Sequence, residues 1–451
     1  MKITEIAVEK LFGVFDHVIP LNQSGQITIV IGENGLGKTV ILEAVNALFD
    51  GKYGFFSGLD FTKFTFKFDN GDSWYLTKKE SSESCSLFVS RANKDSKKIK
   101  EHKISNITSN GRKVVRSAAR RSRALREREL ELEYRWLMGK DSGYIDIDDF
   151  DDFERMYHYR QMRKMAHIHW ADEEEVNPPK WFTDGIENID VRLIETQRVM
   201  TVKESGSDSY VNTVQRCSTE LNKMISLAAK ESADATSILD STYPNRLIKK
   251  LKQGTNDTFE DLNSALIKLD QRRKVLSSIG LVIDSEDSDI LQIKENQKDL
   301  VGLLKLYIDD SHEKLDPFDS LAKKIILLKS IVNKRFKHKT LEIRQGKGLV
   351  FKSTVIKGKS GDYVDIPSSK LSSGEQNELI LFYKLIFEAK ENDLYLIDEP
   401  ELSLHISWQN KFINDLKDVT KMNKVTIVIA THSPDIIDNN WDLKVELEGV
   451  E

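Results

Sequence analysis

Two cysteines in 451 residues, Cys85 and Cys217, cannot build a disulfide framework or a four-cysteine zinc site within one chain. Usage this sparse fits a reducing compartment. No apolar run approaches the roughly 18–20 residues of a membrane helix, and residues 1–10 hold no apolar leader core. The expectation is a soluble, cytoplasmic protein with no membrane partner. Prolines number 8 and no tract is low in complexity, so most of the chain is expected to fold. A large charge imbalance is also missing. With 67 basic against 72 acidic residues, the net charge is −5, and the protein as a whole is no electrostatic magnet for nucleic acid. Charged residues still make up 31% of the chain, which points to long exposed helices. The apolar 39% suffices for a sizeable core, and the length predicts two or three units or one domain with large insertions.

What the chain does have is pattern. Ile3, Ile6 and Val8, then Phe15, Val18 and Pro20, predict two short strands joined near Gly13. Ile27-Thr28-Ile29-Val30-Ile31 is a nearly continuous apolar run that suits a strand buried on both faces. Phe61, Phe64, Phe66 and Phe68, then Trp74 and Leu76, alternate again, with Asn70-Gly71 as a hairpin turn. Residues 191–194 form another apolar strand. From about 209 to 338 the period becomes helical. Val214, Cys217, Leu221, Met224 and Ala228 make one stripe, Phe259, Leu262, Leu266 and Leu269 a second, and Leu300, Leu303 and Tyr307 a third. These predict antiparallel helices or a short coiled coil with apolar stripes in the core. Strands resume at Leu341. Residues 112–128 hold eight Arg or Lys and one Glu, whereas 141–154 hold seven acids and no base. The basic segment either pairs with the acidic one as a solvated helix or contacts nucleic acid or another partner.

Four motifs bear on chemistry. Gly32-Glu33-Asn34-Gly35-Leu36-Gly37-Lys38-Thr39 fits G-x-x-x-x-G-K-[ST], with a buried strand before it and a helix from Val40 after it. Glycines let backbone N–H groups curl around a phosphate, and a helix N-terminus adds positive potential. Lys38 supplies a cation for the β- and γ-phosphates, and the Thr39 hydroxyl suits Mg²⁺. Next, the strand-like 394–397 ends in Asp398-Glu399-Pro400. Asp398 would hold Mg²⁺ through water, and Glu399 would polarise an attacking water. Leu371-Ser372-Ser373-Gly374-Glu375-Gln376 precedes a helix, with Ser372 as its N-cap. Finally, the apolar 425–431 ends at His432. Taken alone, each of the last three also fits an ordinary loop end or cap.

Taken in order, these motifs resemble the ATP-binding-cassette ATPases, in the soluble branch related to RecF, Rad50, the structural-maintenance proteins and the overcoming-lysogenization-defect nucleases. The resemblance covers roughly residues 1–90, 188–200 and 341–450. It implies an α/β fold: an ATPase head with a mixed sheet, an antiparallel N-terminal lobe and a P-loop core, carrying an α-helical or coiled-coil insertion. The head would comprise 1–112, 188–204 and 341–451. The insertions would be 113–187 (charged) and 205–340 (helical). ATP and Mg²⁺ are the implied cofactors. Asn34, Gly35, Gly37, Lys38, Thr39, Val40, Gln197, Ser372, Gly374 and Glu375 would contact the nucleotide, with Gln197 as the Q-loop residue. Thr39, Gln197 and Asp398 would serve the metal, and Glu399 and His432 catalysis. Residues 371–376 match the signature motif, with Ser373-Gly374 where many members have Gly-Gly, and 401–405 stand where the D-loop belongs. In this family the signature caps a nucleotide held by a partner's loop. One copy of each motif therefore implies a homodimer with ATP sandwiched between chains, and a higher assembly such as a trimer of dimers.

The short insertion and the lack of Cys-x-x-Cys argue against a Rad50-like arm. No fused nuclease domain is expected beside these motifs. Residues 11–17, Glu195-Thr196-Gln197-Arg198 and the compact helical insertion look like the ATPase subunits of the PARIS and Septu anti-phage systems, PARIS favoured. That resemblance implies a phage trigger protein and a separate nuclease effector, Toprim-type in the first and HNH-type in the second. The alternatives are a RecF-like repair clamp that binds DNA through 112–128, and a scaffold without meaningful turnover.

Overall fold

The computed structural model describes residues 1–80, 84–93, 100–108, 178–194, 202–203, 210–211, 213–253, 258–282 and 300–449. The basic segment 112–128, the acidic 141–154, and Gln197 with its neighbours 195–198 lie outside the described residues. In chain order the elements begin with β1 (Ile3–Leu11), β2 (Phe15–Pro20), β3 (Ile27–Ile31), α1 (Lys38–Phe49), β4 (Lys63–Phe68), β5 (Ser73–Glu80), β6 (Ser84–Ala92) and β7 (His102–Thr108). Then come α2 (Lys180–Glu187), β8 (Val191–Ile194), β9 (Val202–Lys203), β10 (Tyr210–Val211), α3 (Thr213–Gln253), α4 (Phe259–Ser278), α5 (Val301–Leu315) and α6 (Asp319–Arg335). The remainder is β11 (Lys339–Arg344), β12 (Gly348–Lys357), β13 (Tyr363–Ile366), α7 (Ser373–Tyr383), β14 (Leu394–Asp398), α8 (Ile406–Asn423), β15 (Thr426–Ala430), α9 (Pro434–Ile437) and β16 (Lys444–Glu446). No described helix is long and apolar enough to cross a membrane.

The chain divides into two compact units. The first takes Met1–Ile194, Glu391–Glu399 and Lys424–Glu451. It holds an antiparallel sheet in the order β2-β1-β4-β5-β6-β7 and a parallel sheet in the order β16-β3-β15-β14-β8. One apolar core runs from Ile6, Val8, Phe64 and Phe66 of the antiparallel sheet, through Ile41, Val45 and Leu48 of α1, to Leu396 and Val428 of the parallel sheet. The alternation of Phe64, Phe66 and Phe68 with Lys63, Thr65 and Lys67 decides which face of β4 is buried. The hairpin at Asn70-Gly71 forms as expected, and Gly71 has φ 85°. The parallel strands read as unbroken apolar runs because both faces are covered: all five residues of β15 are buried.

The second unit takes Glu195–Lys390 and Pro400–Asn423. It combines helices α3 to α8 with the antiparallel sheet β11-β12-β13. The fold is thus the mixed α/β class expected, with a helical portion. The first helical stripe buries Val214, Cys217, Leu221 and Ala228, but Ile225 rather than Met224 completes it. The third stripe is corrected: Leu300 and Tyr307 are exposed, and α5 instead buries Val301, Leu306, Ile308 and Leu315. The cause is a charge on the inner face. Asp310 is buried and takes a two-pronged ion pair from Arg246 of α3, so the core face of α5 is not the most apolar one.

Candidate nucleotide site

The parallel sheet sets the site. Val30 of β3 pairs with Ala430 of β15, and Ala430 pairs with Asp398 of β14. The loops that follow these three strands therefore leave the same edge, the carboxyl edge where open α/β sheets bind ligands. They deliver 32–37, Glu399 and 431–432.

The first loop is shaped by two glycines. Gly35 (φ 89°) and Gly37 (φ 85°) both take the left-handed conformation. Gly37 has a second reason: an added Cβ would lie 2.5 Å from Leu11 Cδ2. Lys38 opens α1 and is buried. Its ammonium donates to the carbonyl oxygens of Gly32 (2.8 Å) and Glu33 (2.9 Å) and lies 3.4 Å from His432 Nδ1. Asn34 and Gly35 form the exposed rim, and Val40 is half-buried in the first turn of α1.

Facing the loop are the acids. The Thr39 hydroxyl donates to Asp398 Oδ1 at 2.9 Å, across 359 residues of sequence. Glu399 has φ 42°, a left-handed backbone that a non-glycine residue adopts at a cost of about 1–2 kcal/mol. Its N–H donates to Ala430 O at 2.9 Å, which holds that turn. Glu399 Oε1 lies 4.0 Å from His432 Nε2, and both side chains are about one-third exposed. Lys38, Thr39, Asp398, Glu399 and His432 thus converge from three strand ends.

Sequence reasoning missed three features here. His17, on β2, is buried, and its Nε2–H donates to Leu36 O (2.9 Å) inside the phosphate loop. Burial holds its pKa below the ordinary imidazole value, against the raising effect of that carbonyl. Phe12, in the β1–β2 turn, has its ring edge 3.1 Å from the Cβ position at Gly37. The left-handed Glu399 is the third. None has a local signal: His17 and Phe12 depend on tertiary approach, and a positive φ at glutamate has no composition cue.

The signature segment lies in the second unit. Ser372 caps α7 with a reciprocal capping box: its Oγ accepts from Glu375 N (3.3 Å), and Glu375 Oε2 accepts from Ser372 N (2.8 Å). Lys339 Nζ donates to both Glu375 oxygens, at 2.8 and 2.7 Å. The Glu375 carboxylate is thus engaged in shaping the loop. Burial alone would raise its pKa, but Lys339 and Ser372 outweigh burial and hold it below the ordinary glutamate value. A depressed folded-state pKa means stability present above about pH 4.5 and lost as pH falls through the folded value. Glu375→Gln should therefore lower stability by about 1 kcal/mol at pH 7. The gap from wild type should narrow between pH 7 and acid below the ordinary glutamate range, as pH falls through the depressed folded-state value. Denaturant melts at the two pH values check this, and a gap that widens in acid would contradict it.

The sequence pattern of the AAA ATPase domain family matches residues 1–437. The chain belongs to that family. Shorter similarities exist to the UvrABC system protein A of Clostridium acetobutylicum, 37% identical over 71 residues (16% of this chain, 8% of that protein). The Deinococcus radiodurans protein of the same name is 26% identical over 151 residues (33% of this chain, 12% of that protein). The chain thus aligns with only about a tenth of the length of these relatives. Two solved structures align over 97% of this chain and 91% of theirs. One is the Smc head domain with an extended coiled coil bound to the C-terminal domain of ScpA, from Pyrococcus furiosus, at 12% identity and TM-score 0.31. The other is the SmcHead bound to the C-winged helix domain of ScpA, at 10% identity and TM-score 0.32.

For an AAA ATPase, the residues present fit a magnesium nucleotide. A buried ammonium and left-handed glycines suit phosphate oxygens. The Thr39 hydroxyl and Asp398 carboxylate are hard oxygen donors of the kind Mg²⁺ takes.

Proposed function

We propose that this AAA ATPase hydrolyses ATP at a composite site formed by two copies of the chain. The observation that carries hydrolysis is the meeting of Thr39, Asp398, Glu399 and His432 beside Lys38 at one sheet edge, and the second copy rests on the signature resemblance at 371–376. Lys38 and the 32–37 backbone bind the β- and γ-phosphates. Thr39 and Asp398 would hold Mg²⁺, which would supply charge neutralisation to the phosphates. Glu399 orients a water and accepts its proton as the water oxygen bonds to the γ-phosphorus and the bond to ADP breaks. His432 stands beside Glu399 and can donate to a phosphate oxygen. Ser372 and Gly374 of the second copy close over the γ-phosphate, so ATP joins the two chains and hydrolysis loosens them.

The glycine at 374 supplies a test. An added Cβ there would meet only Ser403 O, at 3.5 Å, an ordinary contact, and the residue sits in the first turn of a helix. The chain's own fold therefore tolerates alanine, which helices favour over glycine by up to about 1 kcal/mol. Gly374→Ala should leave the melting temperature equal or higher, yet lower turnover at least 10-fold by blocking close approach to the partner's nucleotide. Unchanged turnover would remove 374 from the site.

We further propose that the ATP-bound assembly holds a separate nuclease, Toprim-type favoured, as the ATPase subunit of an anti-phage system, and releases or activates it on meeting a phage product. Support comes from the sequence resemblance at 11–17 and 195–198. Co-purification of the chain with the nuclease encoded beside it checks this. Steep salt-dependent DNA binding that is lost on neutralising Arg120, Arg121 and Arg123 would favour the repair clamp instead.

A further inference from the structure

The second unit gathers three charges, two of them buried and the third, Asp415, half-buried. Arg335, the last residue of α6, is 4% exposed, and Glu378 of α7 is fully buried. Arg335 Nη1 donates to Glu378 Oε1, and Nη2 donates to Asp415 Oδ2 of α8. The guanidinium carbon also lies 5.2 Å from the centre of the Phe382 ring on α7. Burial is costly for these groups: it pulls the Arg335 pKa down and pushes the Asp415 pKa up. Glu378 Oε2 finds no hydrogen-bond partner among the described residues. A largely buried triad of this kind is a poor source of stability, because apolar side chains of similar volume often do as well or better. Stability therefore gives no account of it, and its geometry offers a positional one.

Each carboxylate helix holds a loop. On α7, Gln376 Nε2 donates to Leu371 O (2.8 Å) at the start of the signature segment. On α8, Gln409 Nε2 donates to Leu404 O (3.3 Å) and Glu401 O (3.4 Å) of the segment after the acidic pair. The two segments are near neighbours: a Cβ added at Gly374 would lie 3.5 Å from Ser403 O. Arg335 is the one described residue bonded to both helices through charge, and its planar fork fixes their spacing in a way a single ammonium cannot.

We propose that Arg335 is a positioning residue: through Glu378 and Asp415 it locks 371–376 against 401–405, so that the two segments act as one wall on the partner's nucleotide. The locking is a property of this unit alone, whereas its effect on turnover rests on the composite-site reading above.

The test uses the full chain. Arg335→Met alone leaves Glu378 buried and unpaired, and the protein could fail to fold. The compensated variant R335M/E378L/D415A removes all three charges and should melt within about 5 °C of wild type. It should bind ATP as wild type does, since the 32–39 loop lies in the other unit. Amide hydrogen exchange in the first turn of α7 should rise at least 10-fold, and turnover should fall at least 10-fold. Arg335→Lys, which keeps the charge but not the fork, should show both changes in smaller measure. A compensated variant with wild-type exchange in that turn would overturn the proposal whatever its turnover. Faster exchange with unchanged turnover in an active wild type would also overturn it. If the wild type itself turns over no ATP, the composite-site reading fails, while exchange still judges the lock.

Discussion

Glu399→Gln is expected to cut ATP turnover by about 1,000-fold, within the roughly 10²–10⁴ range for loss of a general base. Glutamine keeps the length and shape of glutamate, and its amide oxygen can take the place of Glu399 Oε1, 4.0 Å from His432 Nε2 in the wild type. It cannot take a proton from water. The φ of 42° and the backbone bond to Ala430 involve no carboxylate, so the turn should survive. Nucleotide affinity by calorimetry should stay within a few-fold of wild type. Because the variant binds but does not cleave, the ATP-joined pair of chains should accumulate and last. Turnover within a few-fold of wild type would mean that another group activates the water.

Lys38→Ala should weaken triphosphate binding about 100-fold. A charge-assisted hydrogen bond contributes roughly 1.5–3 kcal/mol, and each 1.4 kcal/mol is about tenfold in affinity. The ammonium now bonds to the Gly32 and Glu33 carbonyls at 2.8 and 2.9 Å, which places it within the loop. Removing it takes the cation out of the loop and leaves those two oxygens without this donor. The left-handed geometry of Gly35 and Gly37 does not depend on Lys38, so the loop should keep its shape. Equal affinity for ATP in calorimetry would show that 32–39 is not the phosphate cradle.

Much of this architecture is legible in the chain because the cues are local. An apolar run, a glycine loop and a helix follow one another from Ile27 to Phe49, and the same physics that makes each element also fixes their order. The Phe64–Phe66–Phe68 alternation and the Asn70-Gly71 turn are equally local. What escapes the sequence is set by tertiary approach. His17 reaches Leu36 only because β2 lies beside the loop. The Arg335 triad joins residues 43 and 80 positions apart. The inner face of α5 looks polar in sequence because Asp310 faces Arg246 there, and a periodicity count then chooses the wrong stripe. Capping of α7 by Ser372 was legible, since Ser-x-x-Glu is a local signature. The further commitment of Glu375 to Lys339 was not.

The most direct measurement mixes two disabled chains, Lys38→Ala and Ser372→Arg, and follows phosphate release. Each alone should be inactive: the first lacks its phosphate cradle, and the second obstructs the cap it offers to a partner. Mixed, they should regain activity, because one of the two sites in a mixed pair combines an intact loop with an intact cap. Recovery of at most half the wild-type rate is the predicted result. Full activity of Ser372→Arg by itself, or no recovery when two well-folded variants are mixed, would contradict a site shared between chains.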